Sequence, residues 1–222
     1  MRIVSVNVGL PRDMSWKDQV ARSGIFKEPV AGPVAIRTLN LAGDEQADLT
    51  VHGGVEKAVY AYPAEHYEYW RREMHDIAMG WGMFGENLTT EGMSEPEVNV
   101  GDRFRVGSAE LRVTGPRLPC YKLGMKFRRD DIIRRFLASG RTGFYFAVTT
   151  EGSAEAGDVI ELISRDKGGV SVSEVTHLYT DKQASLESVR RVAEAESLPE
   201  SWRDYFRRRL ESHDSGQSGS AV

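Results

Sequence analysis

Apolar and polar positions alternate in short stretches from the start of the chain to about residue 165, and then give way to helical spacing. Val4, Val6 and Val8 occupy every second position and stop at Gly9 and Pro11, which predicts a strand that ends in a turn. Val34, Ile36 and Leu39, bounded by Gly32-Pro33 and Gly43, predict a second strand. The aromatic and β-branched run Ala58 to Tyr62 predicts a third. Phe104 and Val106 lead into Gly107-Ser108, and Leu111 and Val113 lead out, which reads as a hairpin with a glycine-led turn. Phe144, Phe146 and Val148 alternate again, and Val159 to Leu162 follows Gly157-Asp158 as a further short strand. Many short strands with frequent glycine and proline punctuation predict a barrel or sandwich.

Two helices interrupt this β region. Tyr67, Trp70 and Met74 fall at helical spacing behind Pro63, a residue suited to a first helical turn, and such a stripe ordinarily reports core packing. Asp130 opens another helix, with Ile133, Phe136 and Leu137 on one face and Gly140 as its C-terminal cap. Beyond Lys167-Gly168-Gly169 the pattern is helical throughout. Val175, Leu178 and Tyr179 form one face, Leu186, Val189 and Val192 a second, and Pro199 opens a third helix carrying Trp202, Tyr205, Phe206 and Leu210. Three short helices bury little by themselves, so they are expected to pack on one another and against the barrel or a second subunit. The organisation predicted is a mainly β unit with some helix over residues 1–166, a three-helix unit over 170–211, and a disordered polar tail over 212–222.

Composition narrows the chemistry. A single cysteine, Cys120, excludes an internal disulfide framework, a cysteine-built zinc site and a self-contained iron–sulfur cluster. The 29 basic and 33 acidic residues leave a net charge of −4, which gives no support to binding of a nucleic acid polymer. No apolar run is long enough to span a bilayer and the N-terminus lacks a signal-peptide pattern, so no membrane association and a cytoplasmic location are expected. No Gly-x-Gly-x-x-Gly follows the first strand, and a phosphate-binding P-loop, a Gly-x-Ser-x-Gly elbow and a His-Glu-x-x-His helix are missing from the sequence.

Four stretches could carry chemistry. Pro116 and Pro119 stiffen the chain as it leaves a strand and present Cys120 on a rigid loop near Arg117 and Lys122, whose positive charge favours the nucleophilic, metal-binding thiolate. A silent core cysteine is the competing reading. In Asp48…His52-Gly53-Gly54…Lys57, backbone N–H groups beside a lysine would suit an anion, although His-Gly-Gly is also an ordinary turn. Asn87 in Phe84-Gly85-Glu86-Asn87-Leu88 could hydrogen-bond a heterocycle or simply make a turn. Arg141 in Gly140-Arg141-Thr142-Gly143-Phe144 could hold a phosphate or decorate a helix end. The basic run Lys126 to Arg129 is either a solvated face or a steering patch for an anion.

Taken together, these stretches resemble the MOSC domain family. The resemblance rests on Asp48…His52-Gly53-Gly54…Lys57-Ala58-Val59-Tyr60, Phe84-Gly85-Glu86-Asn87-Leu88, Val100-Gly101-Asp102…Val106-Gly107, Pro116-Arg117…Pro119-Cys120-Tyr121-Lys122 and Gly140 to Tyr145, in that order. The helical C-terminus is similar to the three-alpha appendage of the YiiM-like branch, which is associated with resistance to 6-hydroxylaminopurine. The resemblance implies a β-barrel-like fold and a bound molybdenum cofactor of the molybdopterin type, with Cys120 as the protein ligand to molybdenum. It implies reduction of N-hydroxylated compounds, base analogues among them, to the amine. It also implies that Arg117, Lys122, Lys57 and Arg141, with Gly53 and Gly54, meet the phosphate and pterin. His52 and Asn87 would then orient the heterocycle or relay a proton. A non-catalytic carrier or sulfur-transfer module for the same cofactor is one alternative. A hydrolase or transferase using Cys120 with His52 is another. A reductase built on this chain needs an external electron-donor protein, since the sequence holds no iron–sulfur ligands and no flavin or nicotinamide fingerprint. The three helices would dock that donor or pair two copies of the chain.

Overall fold

β1 (Arg2–Val8) begins a curved sheet, but it does not bury the simple valine alternation. A register shift between Ile3 and Ser5 against its neighbour adds a residue on one side, so Ile3 and Val6 enter the core while Val4 and Val8 stay half-buried. The computed structural model describes residues 1–47 and 53–218, with side chains as far as residue 213. Within these, the main sheet has eight strands. β4 (Glu28–Val30) pairs with β1, then come β7 (Leu88–Glu91), β6 (Val59–Pro63), β10 (Phe144–Thr150), β9 (Ala109–Pro116), β8 (Arg103–Val106) and β12 (Ile160–Ser164). All pairings in it are antiparallel except β6 with β7, which α1 (Glu65–Glu73) connects. β2 (Arg12–Trp16) and β3 (Gln19–Ser23) form a separate hairpin, and β5 (Val34–Ile36) pairs with β11 (Gly152–Ala154).

The sheet is barrel-like without being a closed barrel. Its far edge returns to β1 through one bridge, Arg2 opposite Val159, with Ile3 N–H donating to the Asp158 carbonyl at 2.9 Å and Ile160 N–H to that of Met1 at 2.9 Å. Beyond that bridge β12 continues along β8, and β4 takes the rest of β1.

Two cores flank the sheet. The inner one gathers Ile3, Val59, Leu88, Phe104, Leu111, Val113, Phe144 and Phe146, and runs without a break into Val175, Leu178, Val189, Val192 and Phe206. α4 (Val172–Thr180), α5 (Leu186–Glu194) and the start of α6 (Glu200–Ser218) therefore pack on the sheet itself. Ser171 caps α4 by accepting from the Glu174 N–H at 3.0 Å. The second core is aromatic. Tyr62, Tyr67, Trp70, Met74 and Phe84 pack with Leu123 and Phe127 of α2 (Tyr121–Phe127) and with Phe136 of α3 (Ile132–Ser139). The Tyr67, Trp70 and Met74 stripe is thus core packing.

Three local expectations change. Pro63 closes β6 instead of opening a helix, because it lies opposite Thr90 in the parallel pair, and the helix starts at Glu65. α2, directly after Cys120, was not signalled by any apolar period. The expected disordered tail from Ser212 is helical as far as Ser218, since extending an existing helix avoids the nucleation cost.

Candidate functional site

Cys120 sits where the stiff segment after β9 turns into α2, in an extended backbone conformation at the helix N-cap position, and it is half-buried. It forms part of the wall of two adjoining clefts. The first, about 90 Å³, is lined by Lys27, Asp44, Lys57, Tyr60, Asn87, Arg117, Lys122 and Tyr145. The second, about 480 Å³, shares Cys120, Lys57 and Tyr145, and continues between β9 and the C-terminal helices past Tyr179, Trp202 and Tyr205.

The first cleft is built of buried charge. Arg117 is 5 % exposed and lies 5.4 Å from the Tyr60 ring centre and 5.2 Å from that of Phe136. Burial works against its charge, but Tyr60, Tyr145 and Cys120 around it outweigh that and hold it protonated. Its Nη1 is fully buried and has no acceptor among the described residues. Lys122, 8 % exposed, makes no hydrogen bond or ion pair among them either. Arg117 thus keeps one buried N–H donor unused, and Lys122 is buried without a carboxylate beside it, a costly state unless a ligand supplies the missing acceptor.

Other groups in the cleft are satisfied internally. Lys27 is ion-paired to Asp44, which also accepts from the Gly9 N–H at 3.0 Å and from Asn87 Nδ2 at 2.9 Å. Burial pulls Lys27 below the usual lysine range, and Asp44 opposes this. Asn87 Oδ1 accepts from the Tyr60 N–H at 3.1 Å, so this side chain joins β6, β7 and Asp44 instead of reaching freely into the cavity. Lys126, behind the wall, donates to the carbonyls of Ile25 and Gly82 at 2.9 and 2.8 Å. Burial, with Arg117 and Lys27 nearby, lowers its pKa to about 7, against the pull of Glu86.

Lys57 reaches the junction of the clefts from a short 3-10 turn over Val55–Lys57. Gly54 begins that turn at φ 93°, a conformation favouring glycine, with open space where a Cβ would stand. Thr114 Oγ1 fastens the turn to the sheet by donating to the Glu56 carbonyl at 2.6 Å. Gly53 precedes it, and burial lowers the Lys57 pKa. His52 and Asp48 lie outside the described residues.

Arg141 does not join this group. Its guanidinium lies 4.0 Å from the Tyr69 ring centre, donates to the Ser139 carbonyl at 3.1 Å, and lines a separate cleft with His66 and Glu95. The left-handed turn at Gly140 aims the arginine there, while the backbone carbonyls of Arg141 and Thr142 accept from Tyr62 and Tyr60. Sequence reasoning missed Lys27, Asp44 and Tyr145. Of these only Tyr145 carried a signal, since period-two alternation places it opposite Phe144 and Phe146.

No cluster of three His, Cys, Asp or Glu side chains among the described residues could hold a metal. A metal at Cys120 must therefore bring most of its own ligands. A pterin dithiolene brings sulfur ligands and a phosphate, and the unpaired Arg117 Nη1 and Lys122 are the donors such an anion needs. The residues present fit that group.

Residues 48–161 match the model of the MOSC domain, just over half of the chain. The chain belongs to the MOSC domain family. Residues 170–213 match the YiiM-like 3-alpha helix domain. Protein YiiM of Escherichia coli is 39% identical over 191 residues, covering 85% of each chain. The crystal structure of YiiM from Geobacillus stearothermophilus superposes with a TM-score of 0.78 at 34% identity, covering 94% of this chain and 98% of that one. A protein named Reductase from Gibberella moniliformis is 35% identical over 184 residues, which are 80% of this chain and 31% of that longer protein. MOSC domains are in general associated with molybdenum cofactor. No helix among the described residues is long and apolar enough to cross a membrane.

Proposed function

We propose that this MOSC protein is a molybdenum-cofactor-dependent reductase of N-hydroxylated compounds such as 6-hydroxylaminopurine, acting in detoxification. The observation that carries the reading is a pair of buried cations, Arg117 with its Nη1 lacking an acceptor and Lys122, in one cleft with the chain's single thiol. The Reductase named among the relatives adds support for redox chemistry.

In this reading residues 1–166 hold the cofactor and the helices over 170–211 close the site. Arg117 and Lys122 hold the phosphate, Lys57 neutralises charge at the junction of the clefts, and Cys120 supplies the protein's thiolate to molybdenum. The bound cofactor supplies a two-electron centre able to accept oxygen. The net change takes two electrons and two protons to the N–O bond, which breaks, and releases the amine and water. The chain's residues exclude bulk water and orient the substrate beside Cys120. The electrons come from an external reductase protein, and the reaction suits the reducing cytoplasm.

Protein made in a host that synthesises the cofactor tests this directly. With a reduced viologen as electron source, 6-hydroxylaminopurine is expected to be converted to adenine. Cofactor-loaded protein that never reduces it overturns the reading and leaves a carrier or sulfur-transfer role.

A further inference from the structure

The second cleft has a different character from the first, and it lies on the other side of Cys120. One wall is the segment Thr114 to Pro119, the other is Tyr179 of α4 and the first turns of α6 with Trp202 and Tyr205. Trp202 lies over Gly115, whose added Cβ would meet the indole nitrogen at 3.0 Å, so the backbone of β9 is bare where the ring approaches. The ring stands edge-on to Tyr179 at 5.8 Å and stacks on Phe206 at 6.0 Å with 18° between planes, which fixes its orientation. Its indole N–H has no acceptor among the described residues, although Trp202 is only half-buried and lines open space.

We propose that Trp202 is a specificity-determining residue. It forms, with Tyr205 and Tyr179, a stacking wall that selects substrates with a planar aromatic body, and its indole N–H donates to a ring acceptor. The inference rests on the proposed reductase reading for which reactive group is presented to Cys120, but not for binding itself. Continuity of the two clefts through Cys120, Lys57 and Tyr145 lets an anionic cofactor fill the cationic side while the substrate body enters from the aromatic side. The C-terminal helices then complete the site, and the MOSC unit alone lacks one of its walls.

Equilibrium binding of benzamidoxime and acetamidoxime to cofactor-loaded full-length protein tests this. Wild type is expected to prefer the aromatic probe. Trp202→Ala is expected to reduce that preference by about tenfold or more, with molybdenum content unchanged, and Trp202→Phe to retain most of it. Should Trp202→Ala fail to fold, Tyr205→Leu reads the same preference. Equal preference in wild type and a folded Trp202→Ala or Tyr205→Leu variant overturns the inference. A wild type that binds the aromatic probe through Trp202 yet reduces neither probe sustains the stacking wall and sinks the reductase reading instead.

Discussion

The clefts around Cys120 and around Arg141 contain similar ingredients, and the sequence read their arginines alike. Both place an arginine beside aromatic rings, with carboxylates and a second basic side chain nearby. They differ in burial and in pairing. Around Arg141 the guanidinium stacks on Tyr69 and donates to a backbone carbonyl, and the buried Glu95 is satisfied by His66 at 2.7 Å and by the Gly143 N–H at 2.8 Å. Around Cys120 the supporting groups Lys27, Asp44 and Asn87 satisfy one another, while Arg117 Nη1 is buried without an acceptor and Lys122 is buried without a carboxylate partner among the described residues. A closed network explains itself structurally. A buried guanidinium nitrogen with no acceptor, in the wall of a cavity, points to something that is meant to enter.

The difference can be broken at several points. The largest effect is expected for Arg117→Ala, since removing one partner of a buried charge pair costs about 3–5 kcal/mol. Cofactor retained after gel filtration should fall by about a hundredfold or more, and unchanged stoichiometry would remove Arg117 from the site.

Asn87→Ala should act on stability instead. It leaves Asp44 Oδ2 without its donor and the Tyr60 N–H without its side-chain acceptor, for a loss of about 2 kcal/mol in denaturant unfolding. A loss of cofactor without a loss of stability would show that Asn87 contacts the ligand and not only its neighbours.

Lys126 gives a pH signature. In the folded chain it titrates at about 7, against 10.5 for a free lysine. Between those values the unfolded chain holds a proton that the folded chain has released, so stability rises as pH climbs from about 7 towards 10.5. Below both values the gain is absent. Lys126→Met should remove this rise, and an identical pH slope in the variant would assign it to another group. The smallest effect is expected for Arg141→Ala, which should leave cofactor retention within about twofold, as usual for a change outside the contact network.

Much of the sheet was legible because its strands are short, alternating and bounded by glycine and proline. The hairpin of β2 and β3 was not, since Arg12, Asp13, Arg22 and Gln19 make it polar on most positions and only Met14 and Ser23 are buried. β7 was hidden for the opposite reason, as its buried Thr89 and Thr90 read as polar. In the site, Cys120 and its basic neighbours were visible because proline and charge cluster in one stretch. Lys27 and Asp44 were not, because pairing across 17 residues depends on how β3, β4 and the loop before residue 48 fold back. Arg141 misled because sequence reports a residue's chemistry but not where the turn at Gly140 aims it.

The central claim is that this chain holds a molybdenum cofactor by one thiolate and a pair of buried cations. Elemental analysis of protein from a cofactor-competent host tests it most directly, comparing wild type with Cys120→Ala at equal folded fraction. The account predicts stoichiometric molybdenum in wild type and almost none in the variant. Molybdenum absent from wild type, or equally present in Cys120→Ala, would contradict it.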